Sequence, residues 1–87
     1  MKIIESLSDL AALVGQEVAV SPWIEVTQQQ VNQFAEATGD HQWIHVDVDK
    51  ARAGPFGTTI AHGFLTLSML PRFFESAFEL RGSRMGI

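Results

Sequence analysis

Apolar residues fall along the chain in four patterned stretches. Leu7, Leu10, Ala11, Leu13 and Val14 recur at helical spacing behind Ser6-x-x-Asp9, an N-cap with an acid three residues on, and Gly15 ends the run. That pattern predicts a short helix over 7–14. Val18, Val20, Ile24 and Val26 then share one face at period two, so 17–26 reads as a strand, the one convincing strand of the chain. Pro22 within it cannot donate to a ladder and marks an edge or a bulge.

A second capping box, Thr27-x-x-Gln30, opens the clearest element. Val31, Phe34, Ala35 and Thr38 follow at i, i+3, i+4 and i+7, and Gly39 stands where a helix C′ glycine belongs, which predicts a helix over 28–38. Residues 40–48 read as irregular, 49–53 as a single helical turn, and Gly54-Pro55-Phe56-Gly57 as a loop. Helical spacing returns from Phe64 to Leu80 with a kink or restart at Pro71. Its first half, Phe64–Leu70, has almost no polar face and should be buried all round. In the second half Phe73, Phe74 and Phe78 continue an apolar side while Arg72, Glu75, Glu79 and Arg81 face outward.

These elements do not close a fold. A strand needs a partner for its backbone groups, and a helix apolar on every side needs a sheet or other helices around it. The parsimonious expectation is that the remaining fold lies beyond residue 87 or in a partner chain, with a new strand starting near Gly86-Ile87.

Composition narrows the class. With 87 residues the chain is one domain at most, and 46% hydrophobic content argues for a globular protein. Ten acidic against six basic residues give a net charge of -4, which disfavours a phosphate-tracking nucleic-acid binder. The absence of cysteine removes disulfides, thiolate-bound zinc and a cysteine nucleophile. Met1-Lys2-Ile3-Ile4-Glu5 meets an acid too early for a signal peptide, and no apolar run approaches the roughly 18 residues of a membrane span. A soluble cytoplasmic protein is the expectation.

The chemistry concentrates in Thr38-Gly39-Asp40-His41-Gln42-Trp43-Ile44-His45-Val46-Asp47. A helix stops at glycine, and a carboxylate and an imidazole follow five residues apart on a segment that flanking helices can aim into one cleft. Such a pair can divide the proton transfers of an addition or elimination. Downstream, Ile60-Ala61-His62-Gly63-Phe64 leads into the apolar helix, whose first amides are free and lie at the positive end of its dipole. Aimed at a carbonyl, they would stabilise an enolate oxygen, and Gly63 permits close approach.

The order helix, Gly39-Asp40, a five-residue step to His45, then Ala61-His62-Gly63 before an apolar helix resembles the MaoC-like (R)-specific enoyl-CoA hydratases, within them the NodN-like single-domain branch. The family pattern Gly-Asp-x-Asn-Pro-aliphatic-His stands in register with Asp40, Ile44 and His45, while Gln42 and Trp43 replace the Asn-Pro pair. The resemblance covers about 16–85 and implies an α+β hot-dog fold, an antiparallel sheet wrapped around a long central helix. Family members run well past this length, so residues 1–87 resemble the N-terminal part of a single, longer domain. The implied activity is reversible syn hydration of a trans-2-enoyl-CoA to an (R)-3-hydroxyacyl-CoA. Asp40 and His45 would move the protons and the Gly63 N–H would polarise the thioester carbonyl. The implied partners are the acyl-CoA substrate and a second copy of the chain in a homodimer, with no cofactor, nucleic acid or membrane. Fatty-acid breakdown, polyester supply and fatty-acid synthesis all use this chemistry.

Plainer readings stand beside these. Gln42 cannot titrate and is a hydrogen-bonding group that could orient water or Asp40. His62 could be a second base or a substrate-side group, but fits better the support of the turn before the helix. Asp40, His41 and His45 hint at a metal site but lack the Glu of His-Glu-x-x-His, so no metal is expected. The Phe73, Phe74 and Phe78 cluster reads as core packing, with an acyl tunnel as the other reading, and Ser68 as a donor to a backbone carbonyl. Two other functions compete: a non-catalytic fragment that acts as an assembly module through exposed edges, and a hot-dog acyl-CoA thioesterase.

Overall fold

The computed structural model describes residues 1–82, so the strand expected near Gly86-Ile87 lies outside the described residues. The elements run β1 (Lys2–Ile4), α1 (Leu7–Ala11), α2 (Gln28–Thr38), α3 (Trp43–Val46), α4 (Val48–Arg52), α5 (Gly63–Ser68), α6 (Leu70–Ala77) and β2 (Phe78–Leu80). The class is α+β, as expected. Two compact units divide them, one formed by Met1–Ile24 with the chain from Leu70 onward, the other by Glu25–Met69.

In the first unit β1 and β2 pair in parallel, Lys2 opposite Phe78 and Ile4 opposite Leu80. Ile4 is buried, its carbonyl accepts the Arg81 N–H at 2.7 Å, and the Arg81 guanidinium reaches Glu5 at 3.2 Å. Ser6 caps α1 by accepting the Asp9 N–H, as its spacing predicts, but the helix stops at Ala11 and gives way to turns ending at Gly15. Phe73, Phe74 and Phe78 line an open apolar pocket of about 310 Å³ with Leu10 and Val18.

Three expectations are corrected here. Residues 17–26 form no strand: they are irregular, and Val20 on the supposed inner face is exposed. Period-two patterning gives a face to bury only where a neighbouring strand supplies hydrogen bonds, and β1 and β2 pair with each other instead. Second, the helical stretch over 64–80 restarts near Pro71 as expected, but its last three residues form the strand β2 instead of helix. α5 caps at Met69, and Pro71 falls in the first turn of α6, the one place in a helix where its missing N–H costs nothing. Third, Phe64–Leu70 is not buried all round, since Phe64 is 76% and Leu67 58% exposed. The sheet that the described residues form has two three-residue strands.

The second unit follows its sequence more closely. α2 spans 28–38 as predicted, with the reciprocal Thr27–Gln30 capping box formed and Gly39 closing it at φ +81°, in the left-handed region that favours glycine. Val31 and Ala35 are the buried members of its apolar stripe. Residues 43–46, expected to be irregular, make the short helix α3, and Asp47 then caps α4 by accepting the Lys50 N–H. The turn at 54–57 is a loop, as expected. Ser68 donates to the Phe64 carbonyl at 2.7 Å, the backbone bond anticipated for it. Among the described residues no helix is long and apolar enough to cross a membrane.

Candidate active site

Three side chains named by the sequence converge inside the second unit. Asp40, His45 and His62 each offer one oxygen or nitrogen, and those atoms lie within 4.8 Å of one another. Asp40 follows the glycine that ends α2, His45 lies on α3, and His62 is the residue before α5. Both imidazoles are buried, 7% exposed for His45 and 3% for His62, and Asp40 is the more open member.

The hydrogen bonds fix which ring nitrogens carry protons. His45 Nδ1 lies 2.8 Å from the Ile60 carbonyl. A carbonyl only accepts, so Nδ1 is the protonated nitrogen and Nε2 keeps its lone pair. His62 Nε2 lies 3.0 Å from the Asp40 carbonyl, so there the proton sits on Nε2. The remaining nitrogen of His62, Nδ1, is buried without a partner. The two rings stack, with centroids 3.8 Å apart and planes 22° from parallel, and Phe34 packs on His62 at 4.8 Å. His62 therefore holds the main chain of Asp40 with one edge and the face of His45 with its ring. This geometry supports the turn-holding reading of His62; its only open nitrogen is sealed from solvent.

The same stack bears on metal binding. An ion bound by imidazole lies close to the ring plane, about 2 Å from nitrogen. Two planes inclined by 22° on rings 3.8 Å apart meet only roughly 10 Å away, so one ion cannot satisfy both. His41, the other histidine of the suspected cluster, points elsewhere and meets Glu36 at 3.8 Å.

Gln42 caps α3 without a side-chain capping bond, and its N–H reaches Asp40 Oδ1 at 3.4 Å. Trp43 packs along Gly54, where an added Cβ would come within 3.1 Å of the indole, and carries the Lys50 ammonium 4.9 Å from its ring centre. Gly63 is the first residue of α5, and the space where its Cβ would stand is open to at least 4 Å. A flat carbonyl can approach that amide closely.

One contributor escaped the sequence reading. Gln28, the first residue of α2, donates from Nε2 to the His45 carbonyl at 2.8 Å and accepts from Thr59 Oγ1 at 2.5 Å. Sequence shows it only as a polar helix residue; the signal that would have found it is tertiary.

The order in which glycine, acid, histidine and capped helix are assembled can be compared with known families. A family model described as MaoC like domain matches residues 9–86. The chain belongs to this family. Membership in the MaoC-like family brings the hot-dog fold as its class, of which the described residues display the α+β character. Over all 87 residues the chain is 55% identical to the 3-hydroxyacyl-thioester dehydratase Z of Mycobacterium tuberculosis (strain ATCC 25618 / H37Rv), covering 58% of that protein. It is 52% identical to Nodulation protein N of Rhizobium meliloti (strain 1021) over 84 residues, 94% of this chain and 52% of that protein. A 46-residue stretch, 53% of the chain, is 44% identical to a 3-hydroxybutyryl-CoA dehydratase of Methylorubrum extorquens, covering 29% of it. The chain thus spans a little over half the length of the first two relatives.

Proposed function

We propose that the chain carries the acid–base centre of an (R)-specific enoyl-CoA hydratase, the reverse of a 3-hydroxyacyl-thioester dehydratase. The observation that carries the reading is the tautomer of His45. The Ile60 carbonyl accepts a hydrogen bond from Nδ1–H and leaves Nε2 with a free lone pair, on a ring that offers one nitrogen to a cluster with the Asp40 carboxylate. A separation of up to 4.8 Å suits one bridging water, since two hydrogen bonds through a single oxygen span roughly 4.5–5 Å.

In the proposed reaction that water gives a proton to the pair, and its oxygen bonds to C3 of the enoyl thioester. The C2=C3 electron pair moves through C1 onto the thioester oxygen, where the Gly63 N–H stabilises the enolate. Collapse of the enolate takes a proton from the same pair onto C2. Delivery of both groups from one side gives syn addition. His62 and Gln42 position the pair, and no cofactor takes part. The reading extends to the assembly: α5 contributes to the central helix of a hot dog that works as a homodimer in the cytoplasm, and residues 1–87 are the N-terminal part of its single domain.

The test is turnover of crotonyl-CoA with chiral analysis of the product. It is run on this chain and on a chimera continuing it with the matching remainder of the mycobacterial relative. Loss of the enoyl-thioester absorbance with formation of (R)-3-hydroxybutyryl-CoA supports the proposal. The (S) product, free CoA from thioester hydrolysis, or no turnover in either protein overturns it.

A further inference from the structure

We infer that Gln28 is a positioning residue that clamps His45 at both ends of its imidazole's support. His45 sits on a helix of four residues, too short to hold itself. Its ring is aimed by the Ile60 carbonyl, 2.8 Å from Nδ1. Gln28 reaches both sides of that bond. Its Nε2 donates to the main-chain carbonyl of His45 at 2.8 Å, and its Oε1 accepts from Thr59 Oγ1, one residue before Ile60, at 2.5 Å. The amide orientation is dictated, because the His45 carbonyl accepts only and must face the NH₂ group.

Nε2 also donates to Asn32 Oδ1 at 2.9 Å, so three of the four hydrogen bonds open to a carboxamide are used. The main chain adds one parallel tie, Ile60 N–H to the Ile44 carbonyl at 3.0 Å. Gln28 is thus the side-chain link by which α2, the longest helix of its unit, fixes the donor and the acceptor of the His45 Nδ1 bond relative to each other. Its effect on rate rests on the hydratase reading; its effect on geometry does not.

Two readouts test the clamp on the full chain labelled with ¹⁵N-histidine. Ring N–H exchange is followed by NMR for His45 Nδ1 and His62 Nε2, and crotonyl-CoA kinetics are measured in parallel. In Gln28→Met, which keeps length and removes the hydrogen bonds, the His45 Nδ1 proton exchanges at least about tenfold faster while that of His62 changes by less than about twofold. Turnover falls about ten- to a hundredfold in kcat with KM nearly unchanged, the signature of a misplaced reacting group. Thr59→Val shows the same pattern, Thr59→Ser restores it, and Asn32→Ala behaves as the unaltered protein. Should Gln28→Met fail to fold, Thr59→Val carries the test, since it leaves the Gln28–His45 bond in place and cuts only its anchor. An unchanged His45 signal, or equal acceleration at His45 and His62, overturns the clamp whatever the turnover. An unaltered protein and chimera without turnover defeat the hydratase reading instead, and the exchange result then decides the clamp alone.

Discussion

Replacing His62 by phenylalanine separates the stability of the site from its activity. The substitution keeps a flat ring against His45 at 3.8 Å and against Phe34 at 4.8 Å, so the stacking, worth about 0.5–1.5 kcal/mol per pair, survives. It removes the Nε2–H bond to the Asp40 carbonyl and leaves that part-buried acceptor to find water, a cost of about 1–3 kcal/mol. It also removes Nδ1, a buried nitrogen without a partner, and so recovers a desolvation penalty of about 1–3 kcal/mol. The two terms oppose each other. Net stability in urea titration should therefore move by no more than about 1 kcal/mol with m unchanged, whereas His62→Ala, which also opens a cavity, should lose about 2–4 kcal/mol. Activity should respond differently: with the Asp40 main chain released, kcat in His62→Phe should fall about tenfold or more. A loss above about 3 kcal/mol in His62→Phe would refute the orphaned nitrogen, and an unaltered kcat would refute the positioning of Asp40 through its carbonyl.

Two glycines give independent checks. Gly39→Ala forces a side chain into φ +81° at the end of α2 and should cost about 1–2 kcal/mol in denaturant unfolding, although nothing lies within 4 Å of the added Cβ. Gly54→Ala tests packing instead of backbone conformation, because its Cβ would stand 3.1 Å from the Trp43 ring and 3.2 Å from the Ala51 carbonyl. The indole must move, and a change in tryptophan fluorescence measured in a Trp23→Phe background reports it.

Local signals served best where caps mark an element, as at Ser6 in the first unit and at Thr27 and Gly39 in the second. α2 was legible to the residue because its start and stop are written in side chains next to it, Thr27 with Gln30 and the left-handed Gly39. The spacing of Asp40 and His45 was likewise local. The stacking of His62 on His45 was not, since 17 positions separate them and long-range bonds such as Ile60–Ile44, His45–Ile60 and His62–Asp40 bring them together. Val18 to Val26 misled because period two states a preference for a half-buried surface and says nothing about a strand to pair with. β1 and β2 escaped notice because three residues are too few to show any period, and Phe78–Leu80 lay in phase with the helix before it. Gln28 could not be found from its neighbours at all, for its partners His45 and Thr59 stand 17 and 31 positions away.

The proposed hydration depends on Asp40 and His45 acting as one proton-transferring pair. Steady-state hydration of crotonyl-CoA by Asp40→Asn and His45→Gln, in whichever of the chain and the chimera turns over, addresses it directly. Each substitution should lower kcat by about 10²–10⁴-fold, and the double variant should fall little further, because the two groups serve the same transfers. Full rate in either single variant, or independent losses that multiply in the double, would contradict it.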